Sequence, residues 1–89
     1  MACIDVDALT QYEAEAKQGR AAALYNLGLA YSTGQGVGVD FVAAHKWFNL
    51  AAMRGVDAAK SWRTTMASEM SAAQIAEAQR QAREWLSRA

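Results

Sequence analysis

Proline is missing from this 89-residue chain, and cysteine and histidine occur once each. Without proline, no position forces a break in a helix. Cys3 alone cannot close an intramolecular disulfide, so cysteine usage gives no sign of export. His45 has no second histidine or cysteine nearby, whereas a metal site needs three or four converging ligands. No metal or other cofactor is therefore expected, and His45 is read as a solvated helix position beside a buried stripe. Charge of one sign is lacking too: nine acidic and nine basic side chains are intermixed and the net charge is zero. No basic stripe is present to neutralise a phosphate backbone, so nucleic acid is not an expected partner. No apolar run approaches the roughly 20 residues needed to span a membrane. The first residues, MACIDVDALTQYEAEAK, are acidic and lack the apolar core of a signal peptide, so a cytoplasmic location without membrane contact is expected.

What the chain has in quantity is alanine, about a quarter of its residues, and apolar side chains at helical spacing. Ala23, Leu24, Leu27, Gly28 and Tyr31 form one stripe; Ala44, Trp47, Phe48, Ala51 and Ala52 form another. Ile75, Ala78, Ala82, Trp85 and Leu86 form a third, opened by Ser71 and Gln74 at capping-box spacing. Asp40 is a good N-cap, because its carboxylate accepts from the free donors of a first turn. Gly19 and Gly55 stand where left-handed backbone ends helices. The expected helices are 5–18, 20–32, 40–54, 57–69 and 72–88.

The stretch TGQGVGVD, residues 33–40, holds three of the six glycines. It does not read as a phosphate cradle. The spacing Gly34-x-Gly36-x-Gly38 follows a helix instead of a strand, no Gly-Lys-Ser/Thr occurs, and Asp40 sets a negative charge over the next helix's donors. The glycines permit a tight reversal between antiparallel helices, with Val37 as an apolar anchor under the turn. Catalytic constellations are equally lacking. Glu13 and Glu15 point to different sides of their helix, the serines have no base in register, and Glu77, Arg80 and Glu84 are surface pairs. The chain is not expected to be an enzyme.

The sequence is also self-similar. Shifted by 36, Tyr12 falls on Phe48, Ala16 on Ala52 and Gly19 on Gly55, and Ala44-His45-Lys46-Trp47 is echoed by Ala82-Arg83-Glu84-Trp85. The run Ala23-x-x-x-Leu27-Gly28-x-x-Tyr31-x-x-Gly34-x-Gly36-Val37-x-x-Asp40-x-x-x-Ala44-x-x-Trp47-x-x-x-Ala51-Ala52-x-x-Gly55 resembles the Sel-one-like repeat, one of the tetratricopeptide-type helical-hairpin solenoids. The second copy departs from the pattern: Trp62 and Arg63 stand where Asn26 and Leu27 would be, and its turn glycines are missing. The division is a half repeat over 5–19, a full repeat over 20–55 and a degenerate capping repeat over 56–89, within one domain spanning 1–89.

The resemblance implies an all-α fold of about five helices, a short right-handed superhelix of antiparallel hairpins. It further implies a non-catalytic module that binds a protein or peptide on its concave face. By analogy that face carries Ala22, Tyr25, Asn26, Leu29 and Ser32, then Ser61, Thr65 and Ser68. Tyr25 and Leu29 share a face off the internal stripe of the hairpin, and Tyr25 is the expected anchor. The alternative is a structural, self-associating unit whose exposed edges pair in a homodimer.

Overall fold

The computed structural model describes residues 6–88, with side chains from Ala8 onward. Cys3 and the expected helix start at residue 5 lie outside the described residues. Five helices follow in order: α1 (Val6–Lys17), α2 (Ala21–Thr33), α3 (Phe41–Met53), α4 (Asp57–Ser68) and α5 (Ala72–Arg88). No strand occurs among the described residues. The expected boundaries hold to within about a residue because caps, and not propensity alone, end these helices. Asp40 Oδ1 accepts from the Ala43 N–H at 3.1 Å to start α3. Ser71 Oγ accepts from the Gln74 N–H and Gln74 Oε1 from the Ser71 N–H, at 3.1 and 2.9 Å, completing the box before α5. Gly19 and Gly55 follow α1 and α3 with positive φ.

α3 is the centre of the molecule, packing against α2, α4 and α5, while α1 covers α2. The core joins Leu24, Leu27 and Ala30 of α2 to Ala44, Trp47, Phe48, Leu50 and Ala51 of α3, with Met66 and Ala82 closing it from α4 and α5. Phe48 is fully buried. Its ring lies where a Cβ on Gly28 would stand, 2.6 Å from two ring carbons. Glycine at 28 therefore sets how closely α2 and α3 approach, a matter of space and not of backbone freedom.

Two expectations are corrected here. His45 is not solvated: it is 4 % exposed. With neighbours on three sides, α3 buries a wider arc than one amphipathic stripe, and the arc takes in His45 and Leu50. Leu86, expected in the buried stripe of α5, is 40 % exposed, because the neighbouring Trp85 takes the contact with Trp47 of α3 and leaves Leu86 at its margin.

Candidate interaction face

The turn between α2 and α3 is built from its own residues. Gly34 ends α2 with φ 75° and its N–H donates to the Ala30 carbonyl at 2.9 Å; Gly36 follows with φ 78°. The Asp40 N–H closes the reversal on the Tyr31 carbonyl at 2.9 Å, and Val37 packs against the core. The Asp40 carboxylate sits over the first-turn donors that an anion would need. Gly36→Ala should cost roughly 1–2 kcal/mol of stability from left-handed strain. In thermal melts, excess phosphate or nucleotide should leave wild type and variant equally unmoved. A dose-dependent rise in wild type alone would make the loop a ligand site.

The residues expected on the inward face divide into two groups. Tyr25, Asn26, Leu29 and Ser32 are half-buried on α2, whereas Ser61 and Thr65 are exposed on α4, and Ala22 and Ser68 are exposed as well. The Ser32 hydroxyl donates to the Leu29 carbonyl at 3.0 Å and the Thr65 hydroxyl to the Ser61 carbonyl at 3.1 Å, so both protons are committed to their own helices. Tyr25 and Leu29 do not stand off the core as expected. Both pack against it, Tyr25 with its ring centroid 5.8 Å from that of Phe48.

Trp62 is the residue that sequence reasoning passed over. It stacks on Phe48 at 5.7 Å and 12° and is half-buried on α4. Phe48 thus carries Tyr25 from α2 and Trp62 from α4, presenting two partly open aromatic rings on the two helices that flank α3. The available signal was an aromatic within a polar stretch of α4. The repeat alignment hid it by pairing Trp62 with Asn26.

Beyond this face, α3 and α5 meet through Trp47 and Trp85, edge to face with centroids 4.8 Å apart. Lys46 Nζ lies 4.2 Å from the Trp47 ring and 5.6 Å from that of Trp85. Burial pushes the Lys46 ammonium below its ordinary pKa, and Glu84 and Glu13 act in the opposite direction. On the outer side of α5, Arg80 bonds Glu77 and Glu84, as the sequence spacing suggests. That hydrogen bond from Arg80, with a second from Gln81, holds the Glu77 carboxyl down at about 2.

His45 Nδ1 is buried and has no hydrogen-bond partner. Burial first, and Arg63 second, push its pKa below the ordinary 6.5 of a free imidazole. The folded chain therefore binds this proton less readily than the unfolded chain. The neutral imidazole's stability contribution is fully present above about pH 6.5 and declines as pH falls below that value toward the depressed folded pKa. Melts from pH 7.5 down to 5 should show this loss, and His45→Leu should flatten the slope. An unchanged slope would place the titrating group elsewhere.

No three histidine, cysteine or acidic side chains assemble as a metal-binding group among the described residues. No helix among them is long and apolar enough to cross a membrane. The family model for the Sel1 repeat matches residues 21–56 and 75–89, more than half of the chain. The chain belongs to the Sel1 repeat family. Residues 21–56 take in the whole α2–turn–α3 hairpin, the unit in which Gly28, Gly34, Gly36, Asp40 and Trp47 perform the packing and turning just described. The second Sel1 match falls on α5, where Ala82 and Trp85 stand as Ala44 and Trp47 do in α3. Neither among curated proteins nor among solved structures does any match this chain significantly.

Proposed function

We propose that this Sel1 repeat protein is a non-catalytic adaptor that binds a protein segment across the α2 and α4 face. Sel1 repeats generally mediate protein–protein interaction. The observation that carries the reading to this face is the pair of half-open rings, Tyr25 and Trp62, seated on the buried Phe48. Aromatic rings held in place by packing lose little freedom on binding and offer large contact area. Asn26 adds an amide beside Tyr25 that suits a peptide backbone, and Ser61 and Thr65 form a polar, uncharged margin.

Because Tyr25 also packs on Phe48, truncating it would mix loss of folding with loss of binding. Photo-crosslinking residues placed singly at exposed Ala22, Thr65 and, on α5, Gln79 separate the two. Crosslinks to a common partner from positions 22 and 65, with none from 79, support this face. Crosslinks from 79 alone would move the binding surface to α5. Crosslinks only between copies of this chain would make self-association the function.

A further inference from the structure

We propose a second docking surface, the groove where α1, α3 and α5 end, whose occupant is a segment of another protein bearing a large apolar side chain beside carboxylates. The groove encloses about 310 Å³. Leu24 and Leu50 line it from the core side, and Met53, Trp85 and Leu86 form its apolar margin. Met53 and Leu86 are 59 % and 40 % exposed, two of the three most exposed large hydrophobic side chains among the described residues. The third, Val39, lies at the opposite end of α3. A clustered apolar exposure of this kind marks an interaction site more often than scattered exposure does.

The charges on the rim specify what fits. Lys17 and Arg54 line the groove, and among the described residues no acidic side chain does. Among the described residues neither side chain enters an ion pair or hydrogen bond, whereas Lys60, Arg80 and Arg88 each pair with an acid. Arg54 reaches from the end of α3 across to α1, its guanidinium 3.0 Å from where a Cβ on Gly19 would stand. Capping does not occupy these cations. Backbone N–H groups already serve the helix-end carbonyls: Gly19 donates to Ala16, Gly55 to Ala52 and Val56 to Ala51. Two unpaired cations beside an apolar recess complement a leucine- or phenylalanine-sized side chain flanked by glutamate or aspartate. The apolar contact supplies affinity, and the cations steer acidic segments in and reject basic ones. This groove lies on different helix surfaces from the Tyr25–Trp62 pair, so either surface can fail without the other.

The test uses the full chain and a short fluorescent peptide with a central phenylalanine flanked by glutamates. Fluorescence anisotropy should show saturable binding that weakens as salt rises. Arg54→Glu and Lys17→Glu, both at exposed positions, should each weaken it by about tenfold or more with circular dichroism unchanged. Peptides with glutamine for glutamate, or serine for phenylalanine, should bind worse by a similar factor. The Trp85 indole resonance should shift on titration, and Thr65→Arg should have no effect. Absence of saturation, or binding indifferent to both charge reversals, overturns the proposal. So does sedimentation showing that a second copy fills the groove through Val39, with association lost in Val39→Asp and the peptide unable to compete.

Discussion

Phe48→Ala should bring the urea midpoint of unfolding far below that of wild type. Phe48 is fully buried, stacks on Trp62, touches the Tyr25 ring and fills the space left by Gly28. Its removal leaves a cavity walled by three helices, and the expected cost is about 3–5 kcal/mol. A domain of this size has a total stability on the order of 4–13 kcal/mol, so the loss is at least about a quarter of it. Urea denaturation measures it directly. The same geometry makes a coupling test. Gly28→Ala pushes a methyl into the Phe48 ring and should cost about 1–3 kcal/mol. In a Phe48→Leu background that cost should shrink, because the ring is no longer there to meet it. Additive losses would show that residue 28 does not press on residue 48.

Trp47→Ala is the second large effect. The indole is 6 % exposed and lies between α3 and α5, edge to face with Trp85 beneath the Lys46 ammonium. The expected cost is again about 3–5 kcal/mol, of which the aromatic pair accounts for roughly 0.5–1.5. It differs from Phe48→Ala in where the damage falls. Since α5 packs on α3, loss of Trp47 should release α5 first. Amide exchange should therefore rise along α5 more than along α2. A melt within a couple of degrees of wild type would mean that Trp47 does not carry the α3–α5 contact.

Most of this architecture was legible in the sequence because the features that end helices are local. Asp40, Gly19, Gly34, Gly55 and the Ser71–Gln74 box act within a turn of their own positions, and their geometry followed from residue type. What was not legible depends on how many neighbours a helix has. A stripe read from one sequence assumes one buried face, whereas α3 is enclosed from three sides, and that enclosure buries His45. The reverse holds for Leu86, whose helical register is apolar but which sits at the open margin of the contact that Trp85 makes with α3. The proposed interaction face was half legible. Tyr25 was placed on α2 from the repeat pattern, but its seat on Phe48, shared with Trp62, joins three helices and has no signature within any one of them.

The central position of α3 also bears on how the chain folds. Its main contacts are with α2, its predecessor, and α4 and α5, which follow it, so most stabilising pairings join segments close in sequence. Such a topology has a low loop-closure cost, and folding should be fast, within the microsecond to millisecond range of helical domains. The α2–α3 pair shares the largest contact in the molecule, so substitutions at Phe48 should slow folding more than substitutions in α5 do. Hydrogen exchange in such a chain should be slowest in α2 and α3, which share the largest contact, and faster in the helices packed outside them.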